Sequence, residues 1–109
     1  MSDAIVVLCT CPDNTSARQL AQTLLSEKLA ACVNLIPQVT SLYYWQGKME
    51  ESQEVQLVIK TRRTMFGVLQ ERLLALHPYE VPEILALPIV AGLAAYQQWV
   101  QESVQQSGT

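Results

Sequence analysis

Two cysteines stand one residue apart in "VVLCTC", and the only histidine stands in "LHPYEVPEIL". A thiolate is a soft ligand suited to Cu(I), and a neutral imidazole suits copper and zinc alike. Cys9 and His77 are therefore candidate metal ligands, with Cys11 as a third. Each residue also has a plainer use. A free cysteine on a buried strand packs as a small hydrophobe, which is the expected role of Cys32 as well. A histidine directly before proline is pushed out of helical geometry, so His77 and Pro78 can simply end a helix. Cys11, at a strand end before Pro12, is expected to be the more exposed thiol of the pair. A Cys–His nucleophile is conceivable, but no third group stands out to orient the base. Glu80 and Glu83 could pair as acid and base. They lie in an extended, proline-bounded stretch that does not force them together, which favours a solvated turn or a subunit ion pair.

Composition narrows the partners. The chain has 109 residues, the size of one domain (1–109), with 50% hydrophobic and only 16% charged residues. That is too apolar for disorder and leaves apolar surface to meet other copies. A net charge of −3 with seven scattered basic residues argues against nucleic acid. Three cysteines, an odd number, argue against a secreted disulfide framework. The apolar run at 4–9 is too short for a signal peptide or a membrane span. A cytoplasmic protein with no membrane partner is expected.

The elements that must position these residues read as follows. "AIVVLCT" (4–10) is a buried central strand. Asp13 or Asn14 caps a helix whose face carries Ala17, Leu20, Ala21, Leu24 and Leu29. "CVNLIPQVTSLYYW" (32–45) is a long strand in which Pro37 demands an edge or a bulge. "QGKMEES" reads as a loop, and "EVQLVIKT" (54–61) returns as the partner strand. A second helix covers 62–76, "EILALPIV" (83–90) is the last strand, and a helix through Tyr96, Trp99, Val100 and Val104 closes the chain. The order β-α-β-β-α-β-α predicts an α+β, ferredoxin-like βαββαβ sandwich with an extra C-terminal helix and a long β2–β3 hairpin. Fully extended, residues 32–45 span about 45 Å. A globule of this size has a radius of gyration near about 13 Å, so the "LYYW" end either bends back or projects. A projecting apolar edge is an aggregation hazard that pairing with another copy removes. Tyr43, Tyr44 and Trp45 are thus expected to pack between subunits, with stacking on a ligand as the other use.

"VVLCTCPD", "LLSEKLAACVNLIP", "SLYYWQGKME" with "EVQLVIKT", and "HPYEVPEILALPI" together resemble, in this order, the CutA family of divalent-cation-tolerance proteins. The resemblance runs from about Ile5 to Trp99. It implies the ferredoxin-like fold, a homotrimer built by exchange of the long hairpin, and a cytoplasmic bacterial protein linked to copper and other divalent metals. It implies no enzymatic activity. The ligands it implies are Cys9 and a histidine pair just before "PY"; His77 matches the second histidine, and Leu76 stands in place of the first.

Other functions of this fold class need residues that are largely missing here. Phosphate chemistry would need a basic loop after the first strand. Thr10-Cys11-Pro12-Asp13 offers an acid, a proline and no arginine. A small-ligand sensor resembling the PII trimers would bind between subunits, but a nucleotide would need more bases than Lys48 at the hairpin tip. A purely structural trimer with an indirect metal role is the third alternative. Across copies, Tyr44, Trp45, Lys60, Tyr79, Glu80 and Glu83 are expected to line one inter-subunit cleft.

Overall fold

The first strand, β1 (Ala4–Cys11), is the hinge of the architecture because it is paired on both sides. In the computed structural model, which describes residues 3–105, it is followed by α1 (Asn14–Ser26), β2 (Cys32–Trp45), β3 (Lys48–Arg62), a short 3-10 turn (Arg63–Met65), α2 (Phe66–Leu76), β4 (Ile84–Pro88) and α3 (Ala94–Ser103). The chain ends assigned above to the same domain, residues 1–2 and 106–109, lie outside the described residues. The sheet order is β2-β3-β1-β4, with antiparallel pairing throughout. This is the expected ferredoxin-like α+β fold. No helix among the described residues is long and apolar enough to cross a membrane.

The two-residue period of a strand splits the sheet into two faces. Ile5, Val7, Cys9 and Cys11 of β1 and Val55, Leu57, Ile59 and Thr61 of β3 are buried. Against them pack Ala17, Leu20 and Leu24 of α1 and Leu69 and Leu73 of α2. The buried Thr61 hydroxyl donates to the Leu29 carbonyl at 2.7 Å, so the core carries no unmet polar group there. On the other face, Leu85 and Leu87 of β4 and Ile36 of β2 stay about half exposed.

Several boundaries differ from expectation, each for a physical reason. The first helix stops at Ser26 rather than running through Leu29. Lys28 takes a left-handed conformation (φ 58°), and the Leu29 amide folds back onto the Leu24 carbonyl at 2.9 Å, a Schellman closure with Lys where Gly is usual. Leu29 is buried by that turn, not by the helix. The supposed loop "QGKMEES" is a two-residue turn. Gln46 (φ 52°) and Gly47 (φ 79°) both adopt positive φ, and Lys48 pairs with Trp45. The polar run at 49–54 is therefore strand, held by its ladder with β2 despite weak intrinsic preference. At the other end β3 continues through Arg62, whose guanidinium is bonded to Asp3 and whose neighbour Arg63 donates its amide to the Asp3 carbonyl. That delays α2 to Phe66. The last strand is trimmed to Ile84–Pro88, the residues that pair with Ile5 to Cys9 of β1. Val104 lies past the end of α3, though it remains buried.

Pro37 sits where expected. β2 is an edge strand within the chain, and its register with β3 shifts between Ile36 and Val39, with Gln38 at φ 59°. Beyond that bulge the hairpin projects, and the molecule measures 44 × 27 × 21 Å. Leu42, Tyr44, Trp45 and Met49 at its end are each more than 60% exposed. Leu57 is fully buried at the centre of the helix-covered face. Leu57→Ala should lower stability by about 3 kcal/mol, the usual cost of a buried leucine. Urea unfolding at fixed protein concentration should show a lower midpoint with an unchanged slope.

Candidate metal centre

Cys9 and Cys11 point the same way because they are two residues apart on one strand. The strand's register sets Cys9 opposite Leu57 and Ile84, and Cys11 opposite Val55. Across from them, α2 ends at Leu76, and His77 leaves helical geometry (φ −73°, ψ 137°) just before Pro78. That exit turns the imidazole back over the end of β1. One donor atom from each of Cys9, Cys11 and His77 then falls within 4.8 Å of the others. Cys11 Sγ and His77 Nε2 are 3.9 Å apart.

The expectation that Cys11 is exposed is corrected: it is fully buried, like Cys9. β1 runs one residue further than "AIVVLCT" suggested, and period two keeps Cys11 on the inward face beneath His77. His77 is likewise buried, at 8% exposure, rather than a loop residue open to water. Cys32 is partly exposed at the far end of β2.

Hydrogen bonds fix the imidazole. The Tyr79 backbone N–H donates to His77 Nδ1 at 3.0 Å, so Nε2 carries the proton and donates to the Thr10 carbonyl at 2.8 Å. Burial lowers the His77 pKa, and the Thr10 bond and the Glu54 carboxylate only partly offset it. The two thiols divide their roles. The bond donated to Cys11 raises the Cys9 pKa, and burial adds to this. Accepting that bond lowers Cys11 against its own burial and the nearby Asp13 and Glu54 carboxylates.

The remaining candidates group differently. Trp45, Tyr79, Glu80 and Glu83 line one groove of about 940 Å³ with Tyr43 and Glu54, at the base and side of the projecting hairpin. Tyr79 donates its hydroxyl to Glu54 at 2.6 Å, and its ring lies 5.0 Å from that of His77. Glu83 accepts from the Thr10 hydroxyl and from Gln56 Nε2, so it braces β4 against β1 and β3 rather than pairing with Glu80. Tyr44, out of phase with Tyr43 and Trp45, is not in this groove. Lys60 lies at the opposite end of β3, bonded to Asn34. Their grouping with Tyr79 and Glu83 requires a second copy. Leu76, which stands where the resemblance implies a first histidine, borders a separate shallow groove with Ser16, Leu20 and Thr23 of α1. Thr10 and Glu54 were not singled out from sequence. Only the cross-strand register and the α2 exit bring them to the site, and neither has a local signal.

With this geometry in place, comparison with known proteins is informative. The model of the family described as CutA1 divalent ion tolerance protein matches residues 5–103. This chain belongs to that family. It is 48% identical over 103 residues to the divalent-cation tolerance protein CutA of Citrobacter koseri, covering 94% of this chain and 90% of the relative. Among solved structures, the divalent cation tolerance protein (Cut A1) of Thermus thermophilus superposes with a TM-score of 0.91 at 49% identity, covering 94% of this chain and 99% of that one. CutA1 of Oryza sativa superposes with a TM-score of 0.93 at 43% identity, covering 95% of each. The family is named for tolerance of divalent cations, not for a reaction.

A buried histidine held neutral makes stability depend on pH. Its folded pKa lies below the unfolded value of about 6.5, so its contribution is complete above that value. It is lost as pH falls through the folded pKa. With a chelator present, unfolding midpoints should drop between about pH 7 and about pH 5. His77→Gln should flatten that slope, and an equal slope in the variant contradicts the assignment.

Proposed function

We propose that this chain binds monovalent copper through Cys9, Cys11 and His77, and that it serves divalent-cation tolerance as a non-enzymatic homotrimer in the cytoplasm. The observation that carries the reading is the convergence of two thiols and an imidazole within 4.8 Å, in a chain of the divalent ion tolerance family. Two soft sulfurs and one nitrogen suit the low coordination number of Cu(I), whereas structural zinc takes four ligands. The strand also favours the ligand role over a disulfide. Same-face neighbours on a strand are about 6.6 Å apart, while a disulfide needs Cβ atoms within about 4.5 Å. Cys9 and Cys11 therefore stay a dithiol unless β1 bends. Three free cysteines fit a reducing compartment.

The trimer is supported by the projecting hairpin with Leu42, Tyr44, Trp45 and Met49 exposed, and by the exposed Leu85 and Leu87 on the sheet face. A nucleotide-sensing trimer fits less well. The groove beside the hairpin is walled by Glu50, Glu54, Glu80 and Glu83, with no lysine or arginine to meet phosphate.

Cu(I) affinity, read by competition with a chromophoric chelator under anaerobic reducing conditions, should lie in the micromolar range, about −8 kcal/mol. Cys9→Ser, Cys11→Ser and His77→Ala should each weaken it tenfold or more. If Cys9→Ser and His77→Ala bind copper like the wild type, the site is wrong.

Sedimentation at micromolar and lower concentration should give three times the 12.2 kDa chain mass without dissociation. Trp45→Asp should break the assembly, since an unpaired charge in a desolvated interface costs several kcal/mol. A monomer–dimer equilibrium in the wild type sinks the trimer.

A further inference from the structure

The lone pair of His77 Nδ1 is already taken. A backbone N–H can only donate, so the Tyr79 amide 3.0 Å away occupies it. The ring proton sits on Nε2 and meets the Thr10 carbonyl, an acceptor only. Nε2 is also the nitrogen that faces Cys11 Sγ. When a neutral imidazole coordinates through Nε2, its proton sits on Nδ1 and needs an acceptor. Here that proton would point at the Tyr79 N–H, donor against donor. Coordination through Nδ1 instead needs the very lone pair that Tyr79 uses. Either route breaks the Tyr79–His77 bond. Because Nε2 faces Cys11, coordination through Nε2 is the route taken: the ring stays neutral with its proton moved to Nδ1, the thiols release their protons to solvent as they take the metal, and no electron moves.

Access leads to the same residue. Cys9 and Cys11 are fully buried and His77 nearly so. The Tyr79 ring packs against the His77 ring, tilted by 40° with centroids 5.0 Å apart, and Tyr79 also lines the groove of about 940 Å³ beside the hairpin. Its hydroxyl is tied to Glu54 on β3, so two tethers hold it, one to the imidazole and one to the hairpin.

We propose that Tyr79 is a latch. It must release His77 before a metal can be held by Cys9, Cys11 and His77, and its release reshapes the groove between the 78–83 turn and the hairpin aromatics. Metal occupancy is thereby reported at the surface formed by Tyr43, Trp45 and Glu54. The inference deepens the Cu(I) site proposed above and rests on it.

The test uses the full chain and Cu(I) supplied in a chelator buffer. In a Trp99→Phe background, where Trp45 is the remaining tryptophan, emission should change on Cu(I) addition. In the nitrogen spectrum of the histidine-labelled protein, the proton on His77 should move from Nε2 to Nδ1, and the Tyr79 amide signal should shift. Tyr79→Phe and Glu54→Gln weaken the outer tether without touching a ligand, so each should take up Cu(I) about tenfold faster than wild type. Circular dichroism confirms that both variants are folded. Cu(I) binding with Trp45, the Tyr79 amide and both variant rates unchanged overturns the latch and leaves the copper site standing. No Cu(I) binding at all overturns both.

Discussion

Everything in this molecule is organised by the two-residue period of one central strand. β1 is paired with β3 on one side and β4 on the other, so both its edges are spoken for and its side chains must divide between two faces. Ile5 and Val7 on the inward face build the core with α1 and α2, and Cys9 and Cys11 continue that row. The same alternation that makes a hydrophobic layer at one end of the strand makes a dithiol at the other. A slip of one residue would turn both sulfurs, and the core with them, to the opposite face.

Donors placed inside a core must each be satisfied without metal. No buried side-chain nitrogen or oxygen among the described residues is left without a partner. His77 has the Thr10 carbonyl and the Tyr79 amide, and the Cys9 and Cys11 sulfurs lie beside it. Both imidazole nitrogens are thus bonded within the protein, and a ligand that takes this ring must replace one of those bonds rather than fill a void. Its neighbours on the surface side, Thr10, Glu54 and Glu83, connect it to the hairpin and to β4.

The hairpin shows the opposite arrangement. Its inner half is core, with Val55, Leu57 and Ile59 buried, while its outer half leaves the globule after the bulge at 36–39 and carries its aromatics into solvent. Among the described residues, Leu42, Tyr44, Trp45 and Met49 at that end stay more than 60% exposed. Its apolar tip is the surface on which the proposed trimer rests.

Much of this was legible in the residues themselves. Apolar runs and helical spacing are local signals, so element order, sheet topology, the edge role of Pro37 and the end of α2 before Pro78 follow from the chain alone. Boundaries set by pairing were not legible: β3 starts at Lys48 because its ladder with β2 holds the polar run at 49–54 in strand, and it ends at Arg62, whose guanidinium is bonded to Asp3. The site divides in the same way. Residue types named Cys9, Cys11 and His77 as candidate ligands, since thiol and imidazole chemistry belongs to the side chain. Their burial, the inward turn of Cys11, the bond from His77 to the Thr10 carbonyl and the tie from Tyr79 to Glu54 were decided by tertiary structure. Those depend on distances between residues 25 to 67 positions apart, and such distances exist only once the sheet has closed.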